Sequence, residues 1–293
     1  MTTQEGVLEM TFARRGERSV LAHLHRQAPL LVQQALYWDE HLPGLPCVYV
    51  VTTSGCVVEG DAFDISITVE DGAMAHVTTQ AATRLHRMET GSASQAQRVH
   101  LARDAYLELL PGPVIPQRHS RFAGEIEAVV ADSATLLSAE ILQPGRKHHG
   151  GGELFAYDRY SSGLTVRRPD GTALFSEKLV AEPARHPVRD AGAMGGFDVF
   201  ANVVLVTPEA HATRILDRVA AGSGADAAGG YGRGGAAGDG CIAGASRLPN
   251  DAGLVYKVLG TRTQPVKARV RAFWDAVRRE VAGVPAPAAK SWE

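Results

Sequence analysis

Two pairs of histidines have the residue type and spacing that a metal ion could use. His23 and His25 alternate, so a strand would present both imidazoles on one face, which is compatible with a transition metal. No third ligand is identifiable, so two polar residues on a solvent face is the favoured interpretation. His148 and His149 lie in the glycine-rich run 145–153, whose backbone could approach an ion or another chain closely. A surface loop tip explains this second pair equally well.

Glu108 is a carboxylate in apolar company, with Tyr106-Leu107 before it and Leu109-Leu110 after it. If strand alternation turns it inward, it needs a hydrogen bond, a cation or a water-filled space, because burying an unpaired charge is costly. If the strand has one wet face, Glu108 points to solvent. The sequence leaves both arrangements open.

Short signatures of common enzyme classes are absent. The sequence contains no G-x-S-x-G, no G-x-x-x-x-G-K-[ST] and no H-E-x-x-H. Gly230, Gly232 and Gly235 match a dinucleotide-binding pattern, but no hydrophobic strand precedes them and no helix follows, so the match is compositional. The three cysteines, Cys47, Cys56 and Cys241, form no C-x-x-C pair, which favours a reduced, cytoplasmic compartment.

Composition limits the possible partners. The 293 residues are 45% hydrophobic and 21% charged, with 30 Lys and Arg against 32 Asp and Glu. This near-neutral balance predicts neither nucleic acid nor a membrane surface as a partner. The longest apolar stretch, 199–206, is interrupted by Asn202 and is far too short for a membrane span, and no export signal is visible.

The first two-thirds of the chain has the pattern of strands. Phe63, Ile65, Ile67 and Val69 alternate with polar residues, and the dipeptide Asp71-Gly72 then predicts a turn. Similar strand–turn–strand units recur at 97–110, 126–141 and 164–175. Closely spaced strands without helical periodicity between them predict an all-β meander.

Helices are predicted only in the last third. One begins at Thr207-Pro208-Glu209 and ends at Gly222. A second begins near Pro265. Its apolar stripe consists of Val266, Val270, Phe273, Trp274, Val277 and Val281. The arginines predicted to surround that stripe are Arg269, Arg271, Arg278 and Arg279. Between the helices, residues 221–240 are almost all Gly and Ala, which predicts a flexible surface insertion.

Several segments together resemble the urease accessory protein family UreD, also called UreH. The similar segments are 29–37, 47–49, 55–61, 78–84, 107–111, 145–153 and 253–260. They follow one another in order over nearly the whole chain, so the set is more specific than any single motif.

The resemblance implies a mainly β fold, a β-helix-like or sandwich-like stack of strands with two helices in the C-terminal third. It also implies one UreD-like domain over residues 1–293, with the insertion at about 221–240. Members of the family are non-enzymatic scaffolds that bind a UreF-like accessory protein, which carries a UreG-like GTPase, and the assembly docks on apo-urease. Nickel then passes through a water-filled tunnel as cargo, so no tightly bound cofactor is expected.

Residues associated with the tunnel are carried over by position. Asp61, Glu140 and Glu153 match acidic positions of the family, and Glu108 matches the acidic position of a Leu-Glu-x-Leu-Pro segment. The resemblance therefore implies a transient metal relay at these four carboxylates. The competing interpretations are a turn residue for Asp61 and solvated strand edges for Glu140 and Glu153.

The chain also departs from the family pattern. Cys56 and Glu59 replace two glycines of the usual run before Asp61, and His148 and His149 lie in a longer spacer. These residues could add softer ligands to the path, or they could mark a member that serves a relative of urease.

Two other functions remain open at the level of sequence. One is a carboxylate-dependent hydrolase or lyase that uses Glu108 with Asp61 or Glu153 as acid and base. The other is an adaptor protein that touches no metal.

Overall fold

A computed structural model describes residues 5–222 and 239–288. The predicted insertion at 221–240 and the Gly230–Gly235 pattern lie almost entirely outside these residues. Within them the chain forms the strands β1 (Glu5–Arg15), β2 (Arg18–Gln27), β3 (Leu30–Leu31), β4 (Cys47–Thr52), β5 (Ala62–Val69), β6 (Met74–Thr79), β7 (Thr83–Leu85), β8 (Ala93–Leu101), β9 (Tyr106–Leu109), β10 (Val114–Pro116), β11 (Arg121–Val130), β12 (Thr135–Leu142), β13 (Arg159–Arg167), β14 (Ala173–Ala181), β15 (Val199–Val206), β16 (Cys241–Arg247) and β17 (Gly253–Gly260). The helices are α1 (Glu209–Gly222) and α2 (Thr263–Val281), with a single 3₁₀ turn at Pro249–Asp251.

The strands form two sheets that the chain visits in turn. The first sheet has the order β14-β13-β11-β8-β5-β1-β2, and the main path of the second has the order β16-β17-β15-β12-β9-β6-β4-β3. Successive strands of each sheet run parallel through the middle of the molecule, as in the pairs β5–β8, β8–β11, β6–β9 and β9–β12. The mainly β, β-helix-like fold with two late helices is therefore confirmed.

The prediction of a meander was wrong, and the turn at Asp71-Gly72 shows why. It joins β5 of the first sheet to β6 of the second, so it is a corner of a coil and not a hairpin. Corners stack on one another: Gly72 N–H donates to the Arg103 carbonyl at 2.8 Å, and the Asp71 carboxylate accepts the Arg103 N–H at 3.0 Å. Gly72 has a φ of 64°, which favours glycine. A turn dipeptide specifies this local bend but not which strand pairs with which.

Two apolar clusters hold the layers together. The first lies between the sheets and is built from alternate strand residues such as Phe12, Ile67 and Leu136. The second lies between the outer face of the second sheet and the helices, and it includes Phe273 and Trp274 of α2. The predicted apolar stripe of α2 is thus a core contact. In the described part of the chain, neither helix has the length and apolar composition needed to cross a membrane.

Candidate functional site

A cavity of about 240 Å³ lies between the two sheets. Its walls are inward-facing residues from strands of both sheets, so it is built by the same alternation that forms the first apolar cluster. Polar side chains interrupt its apolar lining, among them Gln95, Gln97, Ser138, Glu140, Ser162 and Asn202. The interior of the strand stack is therefore partly polar at the level of this cavity.

Glu140 supplies a carboxylate to the cavity wall from β12. Its Oε2 accepts a hydrogen bond from Ser162 Oγ at 2.8 Å, and its Oε1 accepts one from the Tyr160 hydroxyl. Both donors are neutral, so they do not balance the charge. Burial raises the pKa of Glu140, and the negative charge of Glu177 raises it further. A carboxylate held in this way attracts a cation or a proton.

A polar row leads from Glu140 toward the edge of the second sheet. Glu140 on β12 pairs with Asn202 on β15, and Asn202 pairs with Lys257 on β17. Directly paired residues share a face of the sheet, so all three look toward the first sheet. Glu177 on β14 of the first sheet meets them: its carboxylate accepts a hydrogen bond from Asn202 Nδ2 at 3.1 Å and pairs with the Lys257 ammonium.

Two oxygen acceptors in the cavity wall are unsatisfied. Within the described residues, neither Asn202 Oδ1 nor Gln97 Oε1 receives a hydrogen bond, although both atoms are buried. A buried polar atom without a partner is costly, so these oxygens call for water or a cation. The cavity wall therefore carries buried polar atoms that water or a cation could satisfy.

Glu108 lies on the opposite, outer face of the second sheet, under α2. It is fully buried, and its oxygens accept hydrogen bonds from His76 Nδ1 at 2.7 Å, Trp274 Nε1 at 2.7 Å and the Arg278 guanidinium at 2.6 and 2.9 Å. The Tyr106 hydroxyl donates a further bond at 2.7 Å. The sequence left open whether Glu108 points inward or outward, and the structure buries it. It also gives Glu108 the cation that its burial requires.

Arg278 was predicted to lie around the apolar stripe of α2, and this was wrong. Its side chain is fully buried and also pairs with Asp39. Burial alone would raise the pKa of Glu108, but Arg278 and His76 overcome this and hold that pKa well below its usual range. Five donors share the two oxygens of Glu108, so it has no free lone pair to take a proton from a substrate. This geometry disfavours Glu108 as the acid or base of a hydrolase.

Asp61 and Glu59 lie in the loop before β5 and bind backbone. Asp61 is buried, and its Oδ2 accepts the Val58 N–H at 2.9 Å, as in the turn interpretation. Burial raises the pKa of Asp61. Glu59 accepts the backbone N–H groups of Glu89 at 2.6 Å and Gly91 at 3.0 Å, which lower its pKa. A relay role for either residue stays a prediction.

Glu153 is held by a cation in the loop after β12. Arg146 forms a bidentate pair with it: Nε donates to Glu153 Oε2 at 2.8 Å, and a terminal nitrogen donates to Oε1 at 2.7 Å. This pairing lowers the pKa of Glu153. Glu153 is buried, so it is not a solvated strand edge. Its part in a relay stays a prediction as well.

The softer candidate ligands lie elsewhere on the surface. His148 and His149 are exposed at the loop tip, and Cys56 is half-buried beside Ser54. His23 is exposed and lies 3.7 Å from Glu9. Across residues 5–222 and 239–288, no three His, Cys, Asp or Glu side chains come close enough together to hold a metal ion.

Of the four predicted relay carboxylates, Glu140 lines the cavity. Sequence reasoning missed Glu177, Lys257 and the role of Asn202. One signal was available: Asn202 is a polar interruption in an otherwise apolar strand, and such a residue marks a polar feature of the face on which it lies.

Comparison with known proteins agrees with the resemblance. The sequence model of the family described as "UreD urease accessory protein" matches residues 4–293. The chain is 47% identical over 285 residues to "Urease accessory protein UreD 2" of Brucella suis, which covers 97% of this chain and 90% of that protein. It is 44% identical over 289 residues to "Urease accessory protein UreD" of Photorhabdus laumondii, which covers 99% and 86%.

Proposed function

Because the chain belongs to the family of UreD urease accessory proteins and so has a role in urease maturation, we propose that it is the non-enzymatic scaffold of a nickel-delivery complex. In this proposal Ni²⁺ is cargo that crosses the protein through the cavity between the sheets to reach the active site of apo-urease. The scaffold binds a UreF-like accessory protein and, through it, a UreG-like GTPase in the cytoplasm.

The observation that carries the proposal is the position of Glu140. On the wall of an interior cavity it has a carboxylate that meets no cationic partner within residues 5–222 and 239–288, and the buried oxygens beside it lack hydrogen-bond donors in the same part of the chain. A conducting passage must bind its ion strongly enough to favour entry and weakly enough to allow exit. Scattered oxygen ligands meet this condition better than a nitrogen-rich site, because nickel prefers imidazole and would be trapped there.

Substitution of Glu140 tests the proposal. Glu140→Gln keeps the shape of the side chain and removes its charge, so we expect the nickel content and activity of co-expressed urease to fall several-fold. Glu127→Gln is the matched control, because Glu127 is an exposed carboxylate on β11. Co-purification with the UreF-like and UreG-like proteins and urease must be unchanged in both variants.

Normal activation by the Glu140→Gln variant in an intact complex would contradict passage through this cavity. It would instead favour the adaptor that touches no metal. If Glu140→Gln no longer co-purifies with its partners, the role of Glu140 is in assembly of the complex and not in transport.

A further inference from the structure

Lys257 and Glu177 join the two sheets beside the edge of the strand stack. Glu177 lies on β14, the terminal strand of the first sheet, and Lys257 lies on β17, the second strand from the edge of the other sheet. Both residues line the cavity. Their ion pair therefore spans the gap between the sheets at the side where the strand stack ends.

The pair is exposed enough to break easily. The side chain of Lys257 is 48% exposed and that of Glu177 is 28% exposed. Exposed ion pairs contribute little stability, since water solvates both charges once they separate. The long lysine stem also lets the ammonium swing into solvent while β17 stays in place.

The positive charge of Lys257 opposes the entry of a cation into the cavity that Lys257 borders. The polar row runs from the Lys257 ammonium near the edge of the sheet, through Asn202, to the Glu140 carboxylate. A cation that enters from this edge therefore meets a positive charge before it meets Glu140. Lys257 repels an approaching cation, whereas Glu177 and the unsatisfied Asn202 Oδ1 attract it. Glu177 cannot be the full partner of the ammonium and of a divalent ion at once.

We propose that Lys257 and Glu177 form a gate at the edge of the cavity, which a divalent cation opens by replacing the Lys257 ammonium as the partner of Glu177. This inference rests on the proposed function, since it assumes that the cavity carries the cation. The gate admits a doubly charged ion that competes for Glu177 and disfavours singly charged ions, which compete less strongly.

The test compares two lysines on the assembled accessory complex with apo-urease. Lys257→Met removes the charge and keeps the apolar stem. Lys178→Met is the matched control: Lys178 is also 48% exposed and paired with a glutamate, but its partner Glu125 belongs to the same sheet. We expect Lys257→Met to lower the Ni²⁺ concentration for half-maximal urease activation by about three- to tenfold, and Lys178→Met to change it less than about twofold.

Binding supplies a second readout. Calorimetric titration of the accessory complex with Ni²⁺, without urease, should show tighter binding in Lys257→Met and weaker binding in Glu177→Gln. Lys257→Gln serves as a second neutral variant, and the thermal unfolding temperatures of all variants should match the unsubstituted chain.

The outcomes separate the two proposals. If Glu140→Gln impairs activation but the neutral Lys257 variants leave both activation and Ni²⁺ binding unchanged or weakened, the gate is wrong and transport through the cavity stands. If Glu140→Gln has no effect in an intact complex, the transport proposal fails and the gate fails with it.

Discussion

Glu108 and Glu140 are carboxylates on neighbouring strands of one sheet, and their surroundings are opposite. Glu108 faces outward from β9 into the contact with α2, where Arg278 balances its charge and three other side chains, of His76, Tyr106 and Trp274, complete its hydrogen bonds. Glu140 faces inward from β12 into the cavity, where two neutral hydroxyls are its donors. The pKa of Glu108 is accordingly lowered, and that of Glu140 is raised.

The difference separates a structural carboxylate from one that is available to a ligand. Glu108 has used its hydrogen-bonding capacity on partners that fix α2 to the sheet, and Arg278 of α2 in turn pairs with Asp39. Glu140 retains electrostatic attraction for a cation, because no positive side chain of the described residues pairs with it directly. The fully buried Glu108 and the partly buried Glu140 thus differ through the partners on their own side of the sheet.

The largest expected effect is the loss of stability on substitution of Glu108. Glu108→Gln leaves the buried Arg278 without its main counter-charge, so we expect the free energy of unfolding to fall by about 3–5 kcal/mol. Urea denaturation followed by tryptophan fluorescence measures it. The exposed control Glu127→Gln should stay within about 0.5 kcal/mol of the unsubstituted chain.

A triple variant sharpens the assignment of this loss. Glu108→Leu combined with Arg278→Met and Asp39→Asn removes all three buried charges of the cluster, and much of the lost stability should return. If Glu108→Gln lowers the free energy of unfolding no more than the control Glu127→Gln does, the packing of α2 does not depend on this ion pair.

A smaller effect distinguishes the two carboxylates by pH. Because the folded pKa of Glu108 is lowered from 4.5, its stabilising contribution is complete above that pH and is lost as the pH falls toward the folded value. Because the folded pKa of Glu140 is raised from 4.5, its contribution is complete below that pH and is lost as the pH rises through the folded value. Relative to the unsubstituted chain, Glu140→Gln should therefore become more stable as the pH rises above 4.5.

Denaturation curves over a series of pH values measure this difference for both glutamine variants. If the stability of both variants relative to the unsubstituted chain changes in the same direction with pH, Glu108 and Glu140 do not lie in dissimilar environments.

The smallest effect concerns a thiol on the face that Glu108 occupies. Cys47 pairs in register with His76, and burial raises the pKa of the Cys47 thiol to about 12. Iodoacetamide at pH 8 should therefore alkylate the half-exposed Cys56 and spare the buried Cys47 and Cys241. Mass spectrometry of the native protein should show one modified site, and all three should react after denaturation. Rapid alkylation of native Cys47 would show that this face is open to solvent.

Alternation in the sequence predicted the strands well, because every second residue of segments such as β5 is buried. Pairing was not predictable, since Asp71-Gly72 produces a similar bend at a coil corner and at a hairpin. Apolar neighbours identified Glu108 as unusual, but its partner Arg278 lies 170 residues away. Charge patterns around a helix cannot reveal that one arginine points inward to a carboxylate on another element.

The partnership of Glu108 with Arg278 also has a consequence for the newborn chain. At about 5–20 residues per second, a ribosome needs about 10–30 s to reach Arg278 after it has added Glu108. During that interval Glu108 has no Arg278 to neutralise it, and the apolar residues that α2 later covers on the outer face of the second sheet have no helix to pack against. Sealing of this face is thus among the last steps of biogenesis, and aggregation during synthesis is the hazard that such a delay creates.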